Sequence, residues 1–102
     1  MKEVCKRYMH DQFGDDEELL AEIYGEYKSS FGVKLAEARA AFAAGNWNAL
    51  DKIAHTIKGN ALAVGDAEPA ETAIALRKAA TLADAEASEK LIADLEAFEK
   101  QI

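Results

Sequence analysis

Residues 45–65 read GNWNALDKIAHTIKGNALAVG, and their spacing sets the class of fold. Placed at about 100° per residue, Leu50, Ile53, Ala54, Ile57, Ala61 and Val64 fall in one narrow sector. Gly45 ends whatever precedes it, Asn46 is suited to cap a new helix, and Gly65 closes that helix. The stretch therefore predicts an amphipathic helix over about Trp47–Val64, with its apolar stripe turned toward other helices.

The pattern extends in both directions. Upstream, Leu19, Leu20, Ile23, Tyr24, Tyr27, Phe31, Leu35, Ala38 and Phe42 recur at three- and four-residue steps. They predict a long helix from about Asp16 to Ala44, capped by Asp15 or Asp16, with Glu17 and Glu18 suited to its first turn. Gly25 and the Ser29–Gly32 stretch weaken this helix, but the apolar phase survives, so one continuous helix is expected. A shorter first helix spans about Lys2–Gln12, with Val4, Tyr8 and Met9 inward, and Gly14 breaks it. Downstream, Asp66 caps a fourth helix that tolerates Pro69 in its first turn and places Ala70, Ala73, Ile74 and Leu76–Ala80 along it to about Ala80. Asp84 caps a fifth, to about Gln101, with Leu91, Ile92, Leu95 and Phe98 inward. Nothing alternates with the period of a strand. Short connections predict an all-α, antiparallel up-and-down bundle with a short additional N-terminal helix.

Composition narrows the function. The 102 residues suit a single domain, with about 1–14 as a helical extension and about 15–101 as the bundle core. Half are hydrophobic, alanine commonest among them, so the core must be thin and regularly spaced. A formal net charge of −7 argues against nucleic acid and anionic membranes as partners. The single cysteine, Cys5, has no internal disulfide partner, which fits a reducing compartment. No apolar run approaches the roughly 20 residues of a membrane span. The opening MKEVCKRYMHDQF lacks the uninterrupted apolar segment of a signal peptide, so a cytoplasmic location is expected.

On the third helix, His55 lies about 150° from the centre of the core stripe, and Gly59 nearly opposite that centre. His55 is thus predicted to face solvent, with Asp51, Lys52, Lys58, Gly59 and Leu62 as neighbours on its surface. Ala63 adds apolar atoms at the rim. Gly59 costs the helix about 1 kcal/mol relative to alanine; turned away from the core, it suits close approach by another molecule. An exposed imidazole is largely neutral and nucleophilic at neutral pH, and a phosphoryl group on it would find a counter-cation in Lys58. A lone exposed histidine is more often a plain surface residue; the longer string separates the two readings.

Ala54-His55-Thr56-Ile57-Lys58-Gly59-Asn60-Ala61, followed by Gly65, resembles the signature of histidine-containing phosphotransfer (HPt) domains, Ala-His-x-Leu-Lys-Gly-x-(Ala/Ser)-x-x-x-Gly. Ala44–Leu50 resembles that family's entry into its active helix, and Leu19, Leu20 and Phe31 sit where its long preceding helix has them. The similarity runs from about Asp15 to Phe98. It implies a four-helix bundle with His55 as phosphoacceptor, Lys58 steadying the phosphate and Gly59 leaving room for a partner. It implies a phosphoryl carrier without a kinase, hydrolase or metal site of its own. Its partners would be receiver domains of response regulators, including one carried by a hybrid sensor kinase. These would supply the magnesium and the aspartyl phosphate, and the carrier itself is expected to be a monomer with no cofactor. Three positions depart from the pattern. Asp66 and Pro69 replace the residues usual after the glycine, which predicts a shifted or distorted start to the fourth helix. A later Leu-Glu pair reads Leu76-Arg77, and Arg77 is either aimed at His55 or a plain surface arginine.

Other residues read more simply. His10 lacks a partner motif and reads as a surface histidine, Cys5 as inert, and Trp47 as a packing anchor. Asp15–Glu18 lacks the alternating ligands of a calcium loop, and neither histidine has the Glu-x-x-His spacing of di-iron bundles. The competing function is a helical interaction module that docks signalling partners without being phosphorylated. A helical enzyme is disfavoured because no second titratable group except Asp51, one turn away, is arranged as base or acid near His55.

Overall fold

Three short connections of the same design organise the chain. In the computed structural model, which describes residues 1–102, five helices form: α1 (Glu3–Phe13), α2 (Glu17–Ala43), α3 (Trp47–Ala63), α4 (Ala67–Thr81) and α5 (Ala85–Glu99). Helices α2 to α5 are joined by three residues each time: Ala44-Gly45-Asn46, Val64-Gly65-Asp66 and Leu82-Ala83-Asp84. In each, the middle residue is left-handed, with φ of 68°, 72° and 52°. The next amide reaches back to the helix just ended, as Asn46 N–H to Ala41 C=O (2.9 Å), Asp66 to Ala61 (2.8 Å) and Asp84 to Ala79 (2.9 Å). These paired turns satisfy the last carbonyls and reverse the chain within three residues. Successive helices therefore run antiparallel, and α2 packs on α3 and α5, α3 on α4, and α4 on α5, with no diagonal contact.

Helix α2 is continuous through Gly25 and Gly32, and its 27 residues span most of the 43 Å length of the molecule. Asp16, Asn46 and Asp84 accept backbone N–H bonds from Leu19, Ala49 and Ala87, capping α2, α3 and α5 as their positions predict. The core is built on Leu20, Phe31, Leu35, Leu50, Ile57, Leu76, Ile92 and Leu95, with Cys5, Met9, Tyr24, Tyr27 and Val64 beside them and alanines filling in. Trp47 packs edge-on against Phe42, with centroids 5.9 Å apart, in the anchoring role expected of it.

Several sequence expectations are corrected. On α1 the buried residues are Cys5 and Met9, while Val4 and Tyr8 are exposed. In a helix of only eleven residues the 4–8 and 5–9 stripes are equally regular, and the packed one is a residue later. Leu19 and Ile74 are exposed as well, each about 100° off the stripe of its helix. The start of α4 is not distorted: a regular helix begins at Ala67, directly after Asp66. Pro69 sits in the first turn, where a missing N–H leaves no bond unmade. Asp66 holds the N-cap position but makes no capping bond. Its buried carboxylate instead accepts from Lys2 Nζ (2.6 Å) and Tyr27 Oη (2.7 Å). Together with Tyr8, whose ring lies where a Cβ on Gly65 would stand, this bond clamps α1 onto the α3–α4 turn. His10 has partners too: Nδ1 lies 2.9 Å from Asp15 and Nε2 3.1 Å from Glu17, across the α1–α2 connection.

Candidate functional site

Helix α3 holds its outward face rigidly because its inward face is fully engaged. Leu50, Ala54, Ile57 and Ala61 are buried, and Asn60 Nδ2 donates to Ser30 Oγ on α2 (2.9 Å). His55 stands on the opposite side, exposed, between two core residues of its own helix. Gly59, one turn on, is open: a Cβ built there meets no atom within 4 Å. The helix exposes bare backbone beside the imidazole, and no packing contact accounts for the glycine.

Arg77 reaches the ring from α4. Its Nε donates to Asp51 Oδ1 (2.9 Å), and its Nη1 lies 3.0 Å from His55 Nδ1. A guanidinium only donates, so Nδ1 is the acceptor in this contact. Asp51, one turn before His55, thus fixes the guanidinium and the guanidinium fixes the ring. Of the two readings the sequence left open for Arg77, the structure has the one aimed at His55.

Beside the ring lies a shallow depression of about 320 Å³, lined by Asp51, Lys58, Ile74, Arg77, Lys78 and Thr81. Lys58 and Lys78 form no ion pair within the chain, and neither does exposed Lys52 one turn before His55. This face is therefore locally cationic in a protein of net charge −7. It can attract and hydrogen-bond an anion such as a phosphoryl group. Leu62 and Ile74, each about half exposed, give the face apolar edges on α3 and α4, and exposed Ala63 extends it toward α2.

Sequence reading placed His55, Lys58, Gly59, Asp51, Lys52, Leu62 and Ala63 on one surface of α3, and the structure has them there. It missed Ile74, Lys78 and Thr81, which enter from α4. The missed signal was helical phase: Pro69, Ala70, Ala73, Leu76, Ala79 and Ala80 are the buried positions of α4, and Ile74, Arg77, Lys78 and Thr81 form the face beside them. Cys5 lies remote from this site; burial, then the nearby Asp66 charge, pushes its thiol up to about 11, so it is a poor nucleophile at neutral pH. No helix is long and apolar enough to cross a membrane.

Comparison with known proteins agrees with this geometry. The family model for the Hpt domain matches residues 22–101, which takes in α3, α4, α5 and most of α2. No curated protein and no solved structure matches the chain. With an exposed histidine midway along a bundle helix and a match over most of its length, the chain belongs to the Hpt domain family, the phosphocarrier modules of two-component signalling.

Proposed function

We propose that His55 is the phosphoacceptor, taking a phosphoryl group from the aspartyl phosphate of one receiver domain and passing it to the aspartate of another. The observation that carries this reading is the exposed imidazole with Arg77 and Lys58 beside it and open backbone at Gly59. In the forward step a ring-nitrogen lone pair forms the N–P bond, and the acyl P–O bond breaks with its electrons returning to the donor carboxylate. Nδ1 is covered by Arg77, which leaves Nε2 as the nitrogen open to a partner. Lys58 is suited to neutralise the phosphoryl oxygens, and Gly59 to let the receiver approach. The remaining requirements, magnesium and catalytic carboxylates, belong to the receiver, so the carrier needs no cofactor.

The proposed docking surface is the patch of Asp51, Lys52, Leu62, Ala63 and Arg77 around His55; a transient contact would cover roughly 800 Å² or less per partner. The partners proposed for it are a receiver on a hybrid sensor kinase and a separate response regulator. We assign the carrier to the cytoplasm, acting as a monomer, with residues 1–14 as an added helix on a bundle core of about 15–101. Incubation with a receiver carrying labelled phosphate tests the reading. Label should move to the chain, be acid-labile and alkali-stable, and be lost in His55→Gln. Binding without transfer would replace the carrier by a docking module that is never phosphorylated.

A further inference from the structure

Arg77 does more than add positive charge, because its contact with His55 is selective for one chemical form of the ring. Its Nη1 donates to Nδ1 across 3.0 Å, and Asp51 anchors the same guanidinium through Nε at 2.9 Å. Nδ1 cannot carry a proton and accept this bond at once. In the ring so held, Nδ1 bears a lone pair and Nε2 bears the substituent. In the resting protein that substituent is a proton. In a ring phosphorylated on Nε2 it is the phosphoryl group, with the same free lone pair at Nδ1. The contact therefore matches the loaded ring as well as the resting one, and opposes only the form protonated at Nδ1.

That form is the one from which phosphate departs. When the N–P bond breaks, its electron pair returns to Nε2. With a proton on Nδ1, neutral imidazole leaves; without it, imidazolate must leave, and that is a far poorer leaving group. The proton has to come from water, since a guanidinium in a protein does not give one up. Loading has the mirror requirement. Nε2 attacks with its lone pair while Nδ1 carries the proton, which water then takes as Arg77 settles back on Nδ1. Arg77 must move aside for each transfer and return between them.

Resting on the reading of His55 as the phosphoacceptor, we infer that Arg77, anchored by Asp51, is a positioning residue that latches Nδ1 in its unprotonated form. It thereby prolongs the life of the phosphoryl group on Nε2 between transfers. The latch opens when a docked receiver draws Arg77 from the ring toward the phosphoryl oxygens.

The test needs no receiver. The full-length protein is loaded with a phosphoramidate salt, a small phosphoryl donor, and loss of the phosphohistidine signal is followed by ³¹P NMR at neutral pH. Loss should be about threefold to tenfold faster in Arg77→Ala than in the wild type, the range one hydrogen bond of this kind supports. Arg77→Lys, which keeps a donor, should recover part of the difference. Asp51→Ala, which removes the anchor and leaves the arginine, should fall between and serves as the second variant should Arg77→Ala fail to fold. Long-range ¹H–¹⁵N spectra of the unphosphorylated ring should show His55 held as the Nε2–H tautomer in the wild type and as a mixture in Arg77→Ala. Equal lifetimes and equal tautomer populations in folded wild type and variants would overturn the latch. Failure to accept phosphate from a receiver, with these lifetime differences intact, would instead overturn the carrier reading.

Discussion

Gly59 offers a test in which stability and function should move in opposite directions. A methyl group added at this position meets no atom within 4 Å, so Gly59→Ala neither clashes nor buries surface. What remains is backbone entropy: replacing glycine by alanine inside a helix is worth about 1 kcal/mol. For a domain of this size that raises Tm by roughly 4–8 °C. If the glycine exists to admit a partner's surface, the same methyl intrudes into the contact, and overpacking a fitted interface costs about 1–3 kcal/mol. Receiver affinity should then fall by roughly fivefold to 150-fold, and further in Gly59→Gln, whose side chain is longer and whose helix propensity is nearly as good. Thermal melting by circular dichroism and phosphotransfer from a labelled receiver read the two effects on the same samples. A variant that melts higher and transfers at the wild-type rate would refute the access role of Gly59. One that does not melt higher would refute the open space from which the gain is reckoned.

Other perturbations separate the bundle from its surface. Leu62→Asp, on a half-exposed residue beside the site, should weaken receiver binding by roughly tenfold while leaving helicity and Tm nearly unchanged, as titration and melting would show. Ala83→Gly relieves a left-handed alanine at φ 52°; the relief of about 1–2 kcal/mol, less the greater freedom of glycine when unfolded, should stabilise the fold by about 0.5–1 kcal/mol in a urea titration. At high pH the α1 clamp should fail. Burial and then the Asp66 hydrogen bond raise Tyr27, burial and then the Asp66 charge raise Cys5 to about 11, and for Lys2 the Asp66 hydrogen bond and charge outweigh the downward pull of burial. All three hold their protons more tightly folded than unfolded, so their contribution is complete below about pH 9 and is lost as pH rises beyond it. Melting between pH 8 and 11 should show a falling Tm, with a shallower fall in Asp66→Asn, and parallel curves for the two proteins would count against the clamp.

How far the sequence discloses this molecule depends on how local each feature is. The face of α3 is fully written in residues 45–65, because a helical stripe and the residues opposite it are fixed by spacing alone. Continuity of α2 was legible for the same reason, as its stripe keeps phase past two glycines. The phase of α1 was not, since eleven residues allow two stripes and only packing against α2 chooses between them. Asp66 was half legible. An aspartate after a glycine marks a helix start, but nothing nearby tells that its carboxylate is taken by Lys2, 64 residues earlier, and Tyr27. Arg77 stood out as a departure from the family pattern, while its two bonds depended on how α4 is rotated against α3. Ala83 escaped notice because an alanine among alanines carries no turn signal, although it occupies the conformation that Gly45 and Gly65 hold in the other two turns.

The clamp that holds α1 and the site around His55 lie apart on the bundle. Lys2, Tyr8 and Tyr27 act on Gly65 and Asp66, in the turn that follows α3. His55 lies ten residues back along α3, about 15 Å away at 1.5 Å per residue. Between them the helix is held independently by buried Ile57 and Ala61 and by the Asn60–Ser30 bond. Loosening the turn therefore leaves Asp51, His55 and the facing part of α4 in register. The distance from Arg77 to the ring is set instead by the packing of Leu50, Ala54, Ala73, Leu76 and Ala80, residues of α3 and α4 within the span matched by the Hpt family. The small side chains among them let the two helices lie close. A guanidinium rooted on one helix can then reach both a carboxylate and an imidazole on the other, and it is the alanine-rich core, as much as the histidine, that makes the site.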